Sequence, residues 1–373
     1  MTTKTATTWR AVKLRDVANV NARSINSNFP HKKIEYIDIS AVGSGVLAGV
    51  TEYELSEAPG RARRLVKDGD IILSTVRPNR RSFLYIKDPR DNTIASTGFA
   101  VLSPRAETDS RFLYYLVTRQ QFTDYLSANA KGSAYPAVNP EVIQEAEVLM
   151  PTYEEQKSIA GVLAAFDEKI ENNNRIIKTL EEMAQAIFKE RFQTPLMDGG
   201  TPDGWATKRA GELLRRLPQG KTYRLEELDK TGTVPVFDQS SGIVLGYHNN
   251  KAALSASLDE PVAIFGDHTC RMRLITTPFS LGPNVIPFVG LNYLTMFVYY
   301  LTLGGIVQRE YKRHWTEFEH QEFVLPPPAL VNEFVSQIKP MVQKMVEAET
   351  ENQKLAAMRD LLLPRLMSGE ISV

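Results

Sequence analysis

Cysteine is almost missing from this sequence, since Cys270 is the only one among 373 residues. A single cysteine excludes an internal disulfide and any cysteine-rich zinc cluster, and it fits a reducing compartment. The most apolar run, from Leu291 to Leu303, is too short and too polar to span a bilayer. The first residues contain no apolar core of signal-peptide length. We therefore expect a cytoplasmic protein.

An excess of charge of one sign is also absent. The 44 lysines and arginines balance 44 aspartates and glutamates, so the chain lacks the basic excess that is typical of nucleic-acid binders. Any DNA-binding surface must therefore be local. The length and an apolar fraction of 43% are sufficient for two or three domains with substantial cores.

The sequence motifs of common catalytic centres are missing too. There is no Walker-type phosphate loop, no GxSxG nucleophile turn and no HExxH helix. Asp167-Glu168-Lys169 could suggest a nuclease, but the triplet lies on a predicted long helix whose charges alternate as on a solvated face. His268 and Cys270 offer two ligands where a structural zinc needs four. We predict no catalytic residue, no metal site and no cofactor in this chain.

The chain repeats itself. Val148–Pro151 aligns on Phe323–Pro326 at an offset of 175 residues, and a long helical pattern follows each copy. Each copy begins with a short strand-like run that ends in proline, a residue tolerated at the start of a helix. Apolar residues coincide under this offset at helical spacing: Ile159 with Phe334, Leu163 with Ile338, Phe166 with Met341, Ile170 with Met345, Leu180 with Leu355, and Met183 with Met358.

The two long helices carry the apolar stripe of a coiled coil. In the first, apolar positions from Ile170 to Ile187 advance by threes and fours, with Asn173 as an interruption, and Asn352 would interrupt the second. Two such helices related by a repeat would most simply pair with each other, and antiparallel pairing would place the two modules at opposite ends of a rod. The residues predicted to form the pairing are Phe166, Ile170, Ile177, Leu180, Met341, Met345, Leu355 and Leu362.

A globular module precedes each helix, and the two modules resemble each other faintly. Trp9 begins one stretch and Trp205 another, and Phe112–Leu116 is echoed by Phe297–Leu301. Short runs bounded by Gly, Pro, Asp and Asn predict strands. The predicted fold class is α/β, as mixed α+β modules with two long helices paired as an antiparallel coiled coil and an internal two-fold repeat. The predicted divisions are 1–150 (first module), 151–192 (first helix), 193–204 (linker rich in Gly and Pro), 205–325 (second module) and 326–373 (second helix and tail).

The first module contains a basic stretch between Arg61 and Arg81. This stretch contains seven basic residues and only two aspartates. Within it, the segment STVRPNRRS follows a predicted strand and combines Arg with Asn, the residue types that make bidentate contacts to guanine and adenine edges. We expect this loop to contact DNA, the alternative being a solvated loop paired with nearby acids. The candidate residues are Arg61, Arg63, Arg64, Arg77, Asn79, Arg80 and Arg81.

Three further segments supply candidates for phosphate or base contacts. In KGSAYPAVN the candidates are Lys131, Ser133, Tyr135 and Asn139, although Gly132 and Pro136 would also explain the segment as a turn. The second module has a basic and aromatic cluster, Tyr311 to Trp315, with one histidine and two arginines upstream of it. Trp315 could instead be a core residue. The candidates of the second module are His268, Arg271, Arg273, Lys312, Arg313 and Trp315.

The chain resembles the specificity subunits of type I restriction-modification systems. Four segments carry the resemblance: PTYEEQKSIAGVLAAFDEKIE after the strand-like run of the first repeat copy, LAAMRDLLLPRLMSGEI near the C-terminus, and the runs STVRPNRR and NTIASTGFAVLSP. It covers essentially the whole chain. One departure is the second helix start, PPPALVNEF, which lacks the pair Glu155-Gln156 present in the first.

The resemblance implies that the two modules are target-recognition domains, each reading one half of an asymmetric, bipartite DNA site, while the paired helices set the spacing. The implied partners are double-stranded DNA, two methyltransferase subunits that bind S-adenosylmethionine, and ATP- and Mg-dependent restriction subunits. The outer helix faces around Glu171, Arg175 and Lys178 would meet the methyltransferases, unless those charges are simply solvated. The main rival is a coiled-coil scaffold whose heads bind proteins or glycans, and a weaker rival is a self-sufficient nuclease.

Overall fold

The computed structural model describes residues 9–133, 135–197, 200–240, 244–306, 310 and 312–373. The chain forms two compact units. Unit 1 comprises Met1–Ile170 with Gln353–Val373, and unit 2 comprises Glu171–Asn352. The division falls inside both long helices, so each unit combines one globular module with a segment of each helix. The linear domain boundaries given above stay a prediction.

The module of unit 1 is built on three small sheets and four short helices. Its strands are β1 (Arg10–Lys13), β2 (Ala18–Val20), β3 (Lys33–Ile37), β4 (Thr51–Glu54), β5 (Ala62–Leu65), β6 (Ile71–Ser74), β7 (Phe83–Tyr85), β8 (Thr93–Ser96), β9 (Phe99–Pro104) and β10 (Glu147–Met150). Its helices are α1 (Leu14–Val17), α2 (Ser110–Thr118), α3 (Gln120–Ala128) and α4 (Pro140–Glu145).

Three strands within these sheets are buried on both faces. β6, β8 and β9 are buried along most of their length, which explains their continuous apolar runs. The strand orders are β2-β9-β6-β7, β4-β3-β8-β5 and β1-β10. In the second sheet β3 is antiparallel to β4 and parallel to β8. β1 pairs with β10, the strand that leads into the first long helix.

The first long helix, α5 (Tyr153–Phe188), is followed by a π-type turn at Lys189–Gln193 and by α6 (Thr194–Met197). Helical structure therefore continues into the first residues of the predicted linker. The second long helix, α10 (Pro328–Leu366), has 39 residues. Each follows a strand and a proline, as the repeat predicted. At about 1.5 Å per residue both helices exceed 50 Å.

The module of unit 2 has the same order of elements in shorter form. Its strands are β11 (Ala206–Arg209), β12 (Leu214–Arg216), β13 (Val234–Phe237), β14 (Gly246–His248), β15 (Val262–Gly266), β16 (Met272–Ile275), β17 (Ser280–Leu281), β18 (Val285–Gly290) and β19 (Glu322–Leu325). Its helices are α7 (Ala210–Leu213), α8 (Thr295–Thr302) and α9 (Trp315–His320).

The sheet topology of unit 2 repeats that of unit 1. The orders β12-β18-β15-β16 and β11-β19 match β2-β9-β6-β7 and β1-β10 strand for strand. β13 is antiparallel to β14 and parallel to β17, as β3 is to β4 and β8, but unit 2 has no described counterpart of β5 in that sheet. The predicted internal repeat and the mixed α/β fold class are confirmed.

Within unit 2 the two long helices pair in opposite directions. Phe188, near the end of α5, packs its ring 5.6 Å from that of Phe334, near the start of α10. At the other end of this segment the Asn173 amide, which is 2% exposed, donates to Glu351 at 2.8 Å and to the Asn352 side chain at 3.0 Å. Ile177, Leu180, Met341 and Met345, four of the residues predicted for pairing, lie in or against the same apolar core.

Within unit 1 the helix segments also run in opposite directions. Ile159 and Leu163 of α5 share one core with Leu362 and Leu366 of α10, and the described α2, α3 and α4 contribute to it. Phe166, Ile170 and Leu355, the other residues predicted for pairing, are half-buried. The predicted antiparallel pairing is therefore confirmed within each unit.

Asp167 departs from the solvated helix face that the sequence predicted. Its carboxylate accepts hydrogen bonds from the Tyr115 hydroxyl and from the Arg359 guanidinium, both at 2.6 Å. It thereby joins α2 to both long helices within unit 1. Burial, followed by the charge of Asp167, raises the pKa of Tyr115 well above its usual value. The carboxylate is structural, and the expectation of a solvated charge is wrong for this residue.

Replacing Asp167 with alanine is expected to lower the free energy of unfolding of unit 1 by about 2–4 kcal/mol, because it leaves the buried Tyr115 hydroxyl without its partner and removes the less exposed of the two carboxylates that Arg359 bonds. Hydrogen-exchange mass spectrometry would measure this as faster exchange in peptides of α2 and of α10. The matched control is Asp360→Ala, which removes the exposed carboxylate of the same Arg359 and should cost less than about 1 kcal/mol. Equal effects of the two variants would contradict the structural role of Asp167.

No helix among the described residues combines the length and the apolar character needed to cross a membrane.

Candidate nucleic-acid interface

The centre of the candidate surface in unit 1 is the loop between β6 and β7, residues 75–82, which we call the basic loop. It begins beyond a buried strand, and the Ser74 amide donates to the Ser82 carbonyl at 2.8 Å, which closes its base. Arg77 and Arg81 adopt left-handed backbone conformations, with φ of 49° and 56°. Such φ values are uncommon outside glycine and are held in place by surrounding contacts.

The segment Lys131–Ala137 packs along one side of the basic loop. Val76 forms an antiparallel bridge with Ala137, and the Arg77 amide donates to the Pro136 carbonyl at 2.7 Å. The Arg77 guanidinium lies 4.5 Å from the ring centroid of Tyr135, whose side chain is 70% exposed. The structure thus brings together two segments that the sequence named separately. Ala134 lies outside the described residues.

A small hairpin, residues 41–48, packs on the other side of the basic loop. Its ends join through the Ala48 amide and the Ala41 carbonyl at 2.8 Å, and the Ser44 hydroxyl donates to the Arg81 carbonyl at 2.8 Å. Gly45 donates its amide to the Phe83 carbonyl at 2.9 Å. The candidate surface of unit 1 is therefore made of three adjoining segments, with the basic loop in the middle.

Asp38 fixes the base of this hairpin. Its carboxylate accepts hydrogen bonds from the Ser40 amide at 2.9 Å and the Ser40 hydroxyl at 2.6 Å, and these bonds lower its pKa below the usual value. Asp238 and Ser240 repeat the same two bonds after β13 in unit 2, at the same distances. This hairpin was not predicted from the sequence, although Asp-x-Ser recurs after the equivalent strands β3 and β13 and is a signal that could have identified it.

The arginines of the basic loop have different surroundings. Arg81 points into the protein, where its guanidinium donates to the side chains of Gln120 and Thr123 and to the Thr118 carbonyl, at 2.8–3.2 Å. Arg81 therefore positions the loop against α2 and α3 and is poorly placed for a base contact. Within the described part of the chain, the exposed side chains of Asn79 and Arg80 make no hydrogen bond, so both are available to a ligand.

Three further arginines lie on or beside β5. The Arg61 carbonyl accepts from the Thr97 amide, and the neighbouring Gly98 carbonyl accepts from Thr75 of the basic loop, so Arg61 adjoins the candidate surface. Arg63 bonds the carbonyl of Gly60, which precedes Arg61, and Arg64 bonds Ser24. Of the three, Arg61 is the one whose backbone links to the basic loop through Thr97 and Gly98.

The remaining candidates of the first module lie at or after the segment Lys131–Ala137. Lys131 forms reciprocal backbone hydrogen bonds with Ala137 at 2.9 Å, which makes this segment a closed turn. Ser133 is exposed, and Asn139 is exposed at the N-terminal end of α4. Both interpretations of the segment, a turn and a contact surface, are compatible with this geometry.

In unit 2 the loop between β15 and β16 occupies the position of the basic loop. The His268 ring donates a hydrogen bond from Nδ1 to the Lys312 carbonyl at 3.0 Å, and the Asp267 carbonyl accepts from the His314 amide at 2.8 Å. The two clusters that the sequence named in this module therefore meet. Cys270 has a left-handed backbone, with φ of 54°, two residues before the strand, as Arg81 has in unit 1.

The side chains of this second surface also differ in their roles. Arg271, Lys312 and Arg313 are exposed. Arg273 instead forms a bidentate pair with Glu349 at 2.9 and 3.0 Å, which ties the strand to α10. Burial, with Glu317 and Asp267 nearby, raises the pKa of the Cys270 thiol, so the thiol stays protonated.

Trp315 is a core residue. Its side chain is 6% exposed and packs against Phe265, Phe288 and Phe318. The Asp267 carboxylate accepts hydrogen bonds from the amides of His314 and Trp315 and thereby caps α9. The prediction of a base contact for Trp315 is therefore wrong, because the ring cannot stack on a base from this position. Tyr311 lies outside the described residues.

No cluster of three or more potential metal ligands occurs among the residues that the structure describes. A cleft of about 770 Å³ within unit 2 is lined by Lys189, Asp238, Arg271 and Tyr300 among others.

Comparisons with known proteins agree with this architecture. Residues 6–182 match a family model described as the type I restriction modification DNA specificity domain. The chain is 26% identical over 365 residues to the type I restriction enzyme MjaIX specificity subunit of Methanocaldococcus jannaschii, covering 87% of this chain and 82% of the relative. It is 28% identical over 187 residues to the HindI specificity subunit of Haemophilus influenzae, covering 49% and 40%.

A solved structure supports the fold independently. The S subunit of a type I restriction-modification system from M. genitalium superposes with a TM-score of 0.59 at 16% identity, covering 98% of each chain. At this identity the likeness concerns the fold alone. The family match and the two relatives agree with the resemblance that the sequence motifs indicated.

Proposed function

We propose that this chain is a non-catalytic specificity subunit of the type I restriction-modification family, and that it reads double-stranded DNA with the loops at the ends of its β6-β7 and β15-β16 hairpins. In this proposal each module reads one half of an asymmetric, bipartite site. The paired helices set the distance between the halves and dock two modification subunits. S-adenosylmethionine, ATP and Mg belong to the modification and restriction subunits.

One observation carries the proposal. Equivalent strands of the two modules present a loop at the same place, ending in a left-handed residue, but the side chains on the two loops differ. Asn79 and Arg80 are exposed in the first, and Arg271 with the adjoining Lys312 and Arg313 in the second. A shared scaffold that carries different polar groups suits two readers of different base sequences.

The outer faces of the long helices are the proposed docking surface for the modification subunits. Glu171 and Arg175 form an exposed pair at 3.8 Å, as do Lys178 and Glu182. Such exposed pairs contribute little to the stability of a free helix and can be exchanged for partner contacts. The balance of charge in the whole chain fits a complex in which the partners supply part of the phosphate binding.

The test is single-molecule methylation sequencing of DNA from cells that express this chain with its modification subunit. The expected result is one bipartite methylated motif. Substituting Asn79 and Arg80 with alanine should alter or abolish methylation through one half of the motif, and substituting Arg271 and Arg313 should act through the other half. If an active modification subunit produced no motif with this chain, the proposal would fail and the protein-binding scaffold would be favoured. Binding that weakens steeply with salt would separate DNA contact from an apolar protein interface.

A further inference from the structure

The hairpin at residues 41–48 exposes apolar side chains beside the basic loop. Val46 is 65% exposed and Leu47 37%, and Val50 follows at 41%. Single exposed apolar residues are common on protein surfaces. Here three lie within five positions, and Val46 and Leu47 belong to a hairpin that is bonded to a proposed DNA-reading loop, so these two side chains are placed to contact a ligand of that loop.

The hairpin holds these side chains in a fixed position. Val42, which is buried, bridges Leu47 across the hairpin, and the Gly43 amide donates to the Val46 carbonyl at 2.9 Å. Gly45 has φ of +76°, and a Cβ there would approach the Tyr114 hydroxyl to 2.9 Å. The tip therefore fits closely against the module, and the backbone beneath Val46 has little freedom.

The position of the hairpin limits what these side chains can touch. Val46 is two residues from Ser44, whose hydroxyl donates to the Arg81 carbonyl. The Cα atoms of Val46 and Ser44 are therefore at most about 7.6 Å apart. This distance corresponds to about two base pairs of DNA at 3.4 Å each. A duplex that meets Arg80 would therefore also reach Val46 and Leu47.

We propose that Val46 and Leu47 read thymine in the half-site of the first module through apolar contact with its C5-methyl group. That methyl group is the apolar feature that base edges present in the major groove, where Arg and Asn side chains read their purine partners. The inference rests on the proposed function. It assigns to the hairpin a part of the specificity that the polar residues of the basic loop do not supply.

The test uses the chain assembled with its modification subunits and a duplex containing the motif found by methylation sequencing. Each thymine of the half-site assigned to the first module is replaced in turn by uracil, which lacks only the methyl group. The intact complex should bind about three- to tenfold more weakly at one position, as expected for losing one buried methyl contact. Val46→Ser with Leu47→Ser should weaken binding to the thymine duplex by a similar factor and abolish the difference between thymine and uracil.

Leu225→Ser is the matched control, since Leu225 is 63% exposed in the other module, and it should leave the thymine preference unchanged. Val46→Ser alone, the smaller change, should reduce the preference partly. If the intact complex bound the motif but ignored every uracil, or if the double variant kept the preference, the hairpin inference would be overturned. If the intact complex did not prefer the motif to a scrambled duplex, the proposed function itself would fail.

Discussion

Asn79→Ala combined with Arg80→Ala is expected to weaken binding of the assembled complex to its target by roughly thirty- to twenty-thousand-fold. Each bidentate contact to a base edge contributes about 1–3 kcal/mol of discrimination, and the described structure gives these two exposed side chains no internal bond to lose. Fluorescence anisotropy with a labelled duplex at several salt concentrations would measure the effect. The loss should be larger for the target than for a scrambled duplex, because base contacts, unlike phosphate contacts, depend on sequence.

Two control variants distinguish the loss of a direct DNA contact from a loss of folding stability. Lys87→Ala removes an exposed cation just beyond the opposite end of β7 and should change target binding by less than about threefold. Arg81→Ala should lower the thermal stability of unit 1, because it removes three hydrogen bonds to α2 and α3. If the Asn79 and Arg80 variant lost stability as Arg81→Ala does, or lost target and scrambled binding equally, the base-reading role of the loop would be contradicted.

Phe334→Ala is expected to lower the free energy of unfolding of unit 2 by about 3–5 kcal/mol. The side chain is fully buried and its ring lies 5.4–6.3 Å from those of Phe188, Phe192, Phe297 and Tyr300. It thereby joins α10 to α5 and to α8, and the cavity left by truncation would lie where these helices meet. Partial collapse of the surrounding rings would give the lower end of the range.

Guanidinium unfolding followed by tryptophan fluorescence measures this change. Trp205 and Trp315 both lie in unit 2, and a Trp9→Phe background removes the remaining tryptophan. Met183→Ala is the control, because that side chain is 45% exposed on α5 and its truncation should cost less than about 0.5 kcal/mol. A similar midpoint for both variants would show that the aromatic cluster is not what holds these helices together.

Much of the scaffold could be predicted because it depends on local pattern. The strand, proline and helical stripe recur at a fixed offset, and apolar periodicity alone predicts which helix face is buried. The basic loop was also predictable, since it combines a buried strand, a turn and a run of cations.

The roles of single charged residues could not be predicted in this way. Arg80 and Arg81 are neighbours of the same type, yet one is exposed and the other bonds Thr118, 37 positions along the chain. Asp167 meets Arg359 across 192 positions. Such partners are decided by tertiary packing, on which composition and spacing carry no information. The same holds for Trp315, whose position in the core depends on how α9 packs against the sheet.

The buried amide of Asn173 has a further consequence for the helix pair. Apolar stripes alone tolerate sliding by a turn, since one leucine can replace another in a hole, whereas a buried amide cannot exchange its partners so freely. A slip of one turn, about 5.4 Å, would carry Asn173 away from Glu351 and Asn352 and leave it unpaired, at a cost of about 1–3 kcal/mol. Under the offset of 175 residues, Asn173 corresponds to Ala348 and Asn352 corresponds to Ile177, and both of these are apolar. Among the described residues, the repeat therefore does not supply a second contact of this kind. The Asn173 contacts therefore fix the register of the helix pair within unit 2.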